Sequence, residues 1–74
     1  MHISYNAFMR FAEILKALRK QHEYTQKHLA DIIKIQSSNI SDWENDVSRP
    51  EYEHLIKLAE IFDVTVGQLL GVEE

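Results

Sequence analysis

From Ser37 to Asp42 the chain reads SSNISD, so hydroxyl, amide or carboxylate side chains fill every position except that of Ile40. Such groups donate to and accept from the edges of DNA bases in the major groove, provided one rigid face carries them. Short polar residues also favour helix starts and solvated faces for purely local reasons, and at this point both readings stand. Upstream, Gln26 and Lys27 follow Thr25, where the free N–H groups and positive dipole of a helix start suit a phosphate.

Catalytic arrangements match less well. His22 and Glu23 open the run HEYTQKH, close to a zinc-protease motif, but the next histidine, His28, comes six residues later rather than four. Residues six apart do not share a helical face. The four histidines, His2, His22, His28 and His54, show no metal-ligand spacing and read as surface residues. The serines around Ser38 lack a Gly-rich elbow, and a small core leaves little room for a deep pocket. Neither enzymatic activity nor a metal or cofactor is expected.

The elements that must position these residues are helical. Two glycines and one proline, with no segment of period two, leave little room for strands. Phe8, Phe11, Leu15 and Leu18 recur at helical spacing, which predicts a first helix from about Asn6 to Gln21. Ser4 or Asn6 would cap it, and with Ser4 as the cap Ile3 and Phe8 would form a hydrophobic staple. Thr25 supplies the N-cap of a second helix with the stripe Leu29, Ala30 and Ile33, and His28 at the third position makes that cap single rather than reciprocal. After a break at Lys34, Ile35 and Gln36, a third helix over 37–45 buries Ile40 and Trp43 and leaves Ser37, Ser38, Ser41 and Asp42 outside. Asp46 to Arg49 reads as a loop, and Pro50 suits the first turn of a fourth helix carrying Leu55, Ile56, Leu58, Ala59 and Phe62. Asp63 and Val64 end that helix, Thr65 caps a fifth with Val66, Leu69 and Leu70, and Gly71 stops it.

Seventy-four residues fit one domain near the lower size limit for a self-sufficient core. Residues 1–5 read as an N-terminal extension and 71–74 as a C-terminal tail. There is no cysteine, no apolar run approaches the roughly 20 residues of a membrane span, and MHISYNAFMR lacks a signal-peptide layout. A cytoplasmic protein with no membrane partner is expected. The net charge of −4 is unevenly spread. Residues 1–50 carry Arg10, Lys16, Arg19, Lys20, Lys27, Lys34 and Arg49 against Glu13, Glu23, Asp31, Asp42, Glu44 and Asp46, a net of +1. Residues 51–74 carry Lys57 against six acids, a net of −5. Two faces of opposite character follow, and phosphate binding would rest on few contacts.

In order, Arg19, Thr25-Gln26, Leu29-Ala30, Ile33, Ile35, Ile40-Ser41, Trp43-Glu44, Pro50, Leu55, Leu58-Ala59, Val64 and Leu69-Leu70 form a pattern. It resembles the phage-repressor and Cro-like helix-turn-helix family, of the xenobiotic-response-element type, from about Phe11 to Leu70. The resemblance implies an all-α fold, a compact five-helix bundle of the lambda-repressor-like kind containing a helix-turn-helix. It implies a sequence-specific DNA-binding regulator, more specifically a repressor, whose third helix enters the major groove as a homodimer binds a near-palindromic operator of double-stranded DNA. Ser37, Ser38 and Asp42 would face bases, with Gln36 and Ser41 at the margin. Gln26 would bond a phosphate and brace the start of the third helix, and Lys27, Lys34, Asn39 and Arg49 would meet the DNA backbone. Arg19 and Glu44 match a partly buried ion pair. Val64, Val66, Leu69 and Val72 could form a small dimer patch or ordinary core.

The sequence also departs from the family pattern. Lys34 stands at the turn where glycine is usual, and Asp46 replaces the glycine after the third helix. Gln36 replaces the usual Ser or Thr cap, so Ser37 would take over and shift the helix start. Asp42 is repelled by phosphates but accepts from a cytosine amino group. Together with the acidic C-terminal third, it motivates an alternative: a protein-interaction module on the same scaffold, such as an antitoxin or anti-repressor.

Overall fold

The computed structural model describes residues 7–73, with side chains from Arg10 onward. The expected caps Ser4 and Asn6, the Ile3–Phe8 staple, the extension at 1–5 and His2 lie outside the described residues. Five helices follow one another: α1 (Ala7–Gln21), α2 (Gln26–Ile33), α3 (Ser37–Glu44), α4 (Tyr52–Phe62) and α5 (Val66–Leu70). No strand occurs among the described residues.

The stripes read from the sequence meet in one core. Phe11 and Leu15 of α1, Leu29, Ala30 and Ile33 of α2, Ile40 and Trp43 of α3, Leu58, Ala59 and Phe62 of α4, and Leu69 of α5 are all buried together. Helices α2 and α3 pack on each other, α1 packs on α3 and α5, and α4 packs on α2 and α5. Leu69 therefore belongs to the core rather than to a dimer patch, and Val64, Val66 and Leu70 pack partly against it.

Every helix ends in the same way. Glu23, Lys34, Asp46, Asp63 and Gly71 adopt left-handed backbone, with φ of 59°, 70°, 60°, 56° and 77°. In each case the next residue's N–H bonds a carbonyl five residues back: Tyr24 to Arg19, Ile35 to Ala30, Val47 to Asp42, Val64 to Ala59 and Val72 to Gly67. This is the Schellman arrangement, which satisfies carbonyls left open at a helix end and reverses the chain sharply. Tyr24, Ile35 and Val64 then turn into the core, whereas Val47 and Val72 stay exposed.

The helix boundaries correct three details. Thr25 accepts from the His28 N–H at 2.9 Å, the expected single cap. Gln36 keeps the N-cap position of α3 (φ −81°, ψ 145°) without a side-chain cap bond, so Ser37 does not take it over. The left-handed turn at Lys34 and the inward packing of Ile35 fix where α3 begins, whatever the cap chemistry. At the other end Asn45 is the C-cap of α3 rather than its last residue. Pro50 does not open α4: Glu51 is the N-cap, and half-buried Pro50 lies beside Trp43 along a shallow cleft. The chain leaving the Asp46 reversal has to cross Trp43 before it can turn into α4. Thr65 makes a full capping box with Gln68, and its hydroxyl also donates to Glu73, so residues 71–73 fold back on α5.

Four of the five left-handed positions carry side chains that raise the cost of that conformation, by roughly 1 kcal/mol each. Lys34→Gly should stabilise the domain by about 0.5 kcal/mol, the relieved strain outweighing the freer unfolded chain. Gly71→Ala should have the opposite sign and a larger size, at least about 1 kcal/mol. Its new Cβ would lie 3.0 Å from the Arg10 Cβ and 3.1 Å from Ile14 Cδ1, so α5 would be pushed off α1. Urea unfolding followed through Trp43 fluorescence measures both.

Candidate nucleic-acid interface

The position of α3 is set from its last residue. Glu44 is 9% exposed, and its carboxylate takes three hydrogen bonds. Arg19 Nε donates to Oε2 at 2.6 Å and Arg19 Nη2 to Oε1 at 3.0 Å, a bidentate pair between α1 and α3. Gln26 Nε2 donates to the same Oε1 at 3.1 Å, adding the start of α2. The remaining guanidinium nitrogen, Nη1, donates to the Tyr24 carbonyl at 2.9 Å in the α1–α2 turn. The hydrogen bond to Glu44 raises the Arg19 pKa above the ordinary arginine range; burial opposes the shift and the charge of Glu44 adds to it. The cation therefore contributes stability at every lower pH, lost only as pH rises through that elevated value.

Arg19 and Glu44 are thus paired in the structure, and the bracing role expected of Gln26 is corrected. Its amide holds the end of α3, not the start. A buried carboxylate has more lone pairs than one guanidinium edge can fill, and Gln26 supplies the further donor.

With Ile40, Trp43 and Glu44 turned inward, the other side of α3 consists of two parallel rows at i, i+4 spacing. Ser37, Ser41 and Asn45 form one, and Ser38 and Asp42 the other. Ser37, Ser38 and Gln36 are exposed, while Ser41 and Asp42 are half-buried. Gln36 makes no cap bond, so its amide is not committed to the backbone. The five residues expected to read bases therefore share one side of α3 and its N-terminal edge. Asn45 belongs with them although the sequence reading passed over it. The signal was available, since it lies one turn beyond Ser41.

The residues expected to meet phosphates are more scattered. Lys34 is exposed at the α2–α3 turn, Asn39 is exposed on the flank of α3, and Arg49 is exposed in the α3–α4 loop. Lys27 pairs with Asp31 at 3.3 Å, with both side chains mostly exposed. Such a surface pair is weak and yields readily to a phosphate. Gln26 is half-buried and keeps one N–H beyond its bond to Glu44.

Beside Trp43 a cleft of about 220 Å³ runs between Asn39, Arg49, Pro50 and His54, smaller than the roughly 300–1,000 Å³ of small-molecule sites. The described histidines lie at the surface against aromatic rings, His22 and His28 exposed and His54 half-buried. His54 lies 5.6 Å from Trp43, His22 5.0 Å edge-on to Phe62, and His28 4.8 Å edge-on to Tyr24, centroid to centroid. Among the described residues no cluster of three or more His, Asp or Glu could hold a metal ion. No helix among them is long and apolar enough to cross a membrane.

A helix-turn-helix family model matches residues 15–69, the span from the middle of α1 to the end of α5. The chain belongs to the helix-turn-helix family. Within that family it is of the phage-repressor, Cro-like type, as the residue pattern implied. It is 35% identical over 66 residues to the HTH-type transcriptional regulator ImmR of Bacillus subtilis, covering 89% of this chain and 52% of the relative. It is 37% identical over 60 residues to the regulator AnsR of Bacillus subtilis, covering 81% and 52%. With the HTH-type transcriptional activator BcrR of Enterococcus faecalis it shares 36% identity over 66 residues, covering 89% and 32%. The chain thus spans about half the length of the first two relatives. In structure it is similar to the SOS-response transcriptional repressor LexA of Eubacterium rectale, with a TM-score of 0.80 at 21% identity over 95% of this chain and 73% of the other. That likeness establishes the all-α, five-helix fold of a helix-turn-helix domain.

Because Glu44 and Arg19 are buried, removing either leaves the other charged and unpaired. Glu44→Ala or Arg19→Ala should each cost about 3–5 kcal/mol of unfolding free energy. Replacing both, as Arg19→Met with Glu44→Leu, should cost far less than the sum. Denaturant titrations of the four proteins close this cycle; a double-variant loss equal to the sum of the two single losses would show that burial of the pair carries no such penalty.

Proposed function

We propose that the chain is a sequence-specific DNA-binding module of a transcriptional regulator, with α3 lying in the major groove. The observation that carries this reading is the placement of α3. One side is locked into the core by Ile40, Trp43 and the Glu44 bonds, and the other offers a rigid set of donors and acceptors to whatever lies outside. Ser37, Ser38 and Asp42 read base edges, with Gln36 and Ser41 at the margin. Gln26, Lys27, Lys34, Asn39 and Arg49 hold the backbone on either side. Relatives of similar sequence carry names as transcriptional regulators, which supports the same assignment.

Two copies acting as a homodimer would set their third helices about 34 Å apart, one turn of DNA, on a near-palindromic operator. Val72, exposed after α5, and the half-buried Val64, Val66 and Leu70 supply the apolar part of such a contact. Repression is the simpler outcome, because occupancy of the operator alone achieves it.

A mobility-shift titration against salt tests the proposal. With Lys27, Lys34 and Arg49 each neutralising a phosphate, log K should fall with a slope of about −3 per protomer against log salt. Ser38→Ala should change base preference with little loss on non-specific DNA, and Gln26→Ala should weaken binding to every sequence. A slope near zero, with no preference for any operator, would reject DNA binding and leave the protein-interaction reading.

A further inference from the structure

Ser41 and Asn45 stand one turn apart in one outward row of α3. Asn45 Nδ2 donates to the Ser41 carbonyl at 2.9 Å and lies 3.3 Å from the Ser41 hydroxyl oxygen. A carbonyl only accepts, so the first contact fixes the amide with its nitrogen toward Ser41 and Oδ1 away. The second then sets a donor against the lone pairs of Ser41 Oγ. A hydroxyl that accepts from one side turns its own hydrogen elsewhere. A serine within a helix commonly gives that hydrogen to the carbonyl four residues back. Among the described residues Ser41 makes no such bond, and its hydroxyl has Asn45 as its one partner.

We propose that Asn45 is a positioning residue for base recognition, orienting the Ser41 hydroxyl as a hydrogen-bond donor toward the groove. The inference rests on the DNA-binding reading of α3. Next to Ser41, the Asp42 carboxylate is acceptor-only when ionised. Consecutive positions of α3 therefore present a donor and then an acceptor. The matching base edges are an acceptor for Ser41 (guanine O6 or N7, adenine N7, thymine O4) and an amino group for Asp42 (cytosine N4 or adenine N6). Ser41 alone, free to rotate, would accept either kind of edge, and Asn45 removes that freedom.

The test is selection of binding sites from random double-stranded DNA with the full chain, followed by affinity ratios on the selected sites. In Asn45→Asp the carboxylate cannot donate to the Ser41 carbonyl and turns from it toward the Ser41 hydroxyl, whose hydrogen it accepts, so the Ser41 lone pairs face outward. At one base pair, preference should shift from acceptor-bearing to amino-bearing edges by about 3- to 10-fold, the value of one hydrogen bond. The added negative charge weakens binding to all sequences alike, so only the ratio between sites is read. In a Ser41→Ala background the same substitution should leave the ratio unchanged, and Asn45→Ala alone should relax it. Trp43 fluorescence confirms that each variant is folded. If the parent selects an operator and both Asn45 variants keep its base preference, Asn45 is only a helix cap and the inference is overturned. If the parent selects no site at all, the DNA-binding reading falls, and the inference with it.

Discussion

A carboxylate shut away from water must be satisfied where it sits, and Glu44 is satisfied by three hydrogen bonds from two other helices. Arg19 reaches it from α1 and Gln26 from the start of α2, while Arg19 also holds the Tyr24 carbonyl in the turn between those helices. These bonds are short and directional, so they fix relative position more tightly than apolar contact does. The pair need not add net stability over a well-packed apolar alternative. What it specifies is orientation: α3 cannot rotate about its axis or slide along α2 without leaving a charge unpaired. Ile40 and Trp43 bury one side, and the Glu44 bonds determine which way the opposite side faces.

The same economy of connection appears at the helix ends. Five helices fit in the described residues 7–73 because each ends in a one-residue left-handed reversal and the following residue closes a bond back onto the helix. Where that following residue packs inward, as Tyr24, Ile35 and Val64 do, its burial offsets the strain of a non-glycine reversal. After α3, Val47 stays in solvent, and the Asp46 reversal rests on its backbone bonds alone. The α3–α4 loop is thus the connection held least by the core, and it borders the side of α3 assigned to DNA.

The helices themselves were legible because apolar spacing, Thr25, Thr65 and the breaks are local signals. The Arg19–Glu44 pair was legible only through resemblance to a family pattern, since 25 residues separate the partners and either charge alone reads as solvated. What the chain did not disclose were bonds whose second partner leaves no trace in residue type. The Tyr24 carbonyl is backbone, and the choice of Gln26 for Glu44 rather than the start of α3 depends on how α2 and α3 cross. The position of Pro50 failed for a related reason, because a preference for the first helical turn is local and the path over Trp43 is not. Asn45 is the contrary case: its contact with Ser41 spans only four residues, and helical spacing alone would have placed the two side by side.

The charge balance bears on how such a domain could discriminate among sequences. Of the seven cations in the first fifty residues, Arg19 is consumed by Glu44, and Lys27 is partly offset by Asp31. Asp42 and Asp46 stand on or next to α3 itself. In the docking proposed here, attraction to the DNA backbone is modest, and Asp42 is repelled by phosphate wherever the helix lies along the duplex. That repulsion is offset only where an amino group faces the carboxylate, so it falls more heavily on wrong sites than on the right one. Specificity is the ratio of those two affinities, and weakening the sequence-independent part raises the ratio even as total affinity drops. Under the proposed pairing of two copies across a palindrome, affinity would be restored without restoring the tolerance, because both carboxylates must be matched together.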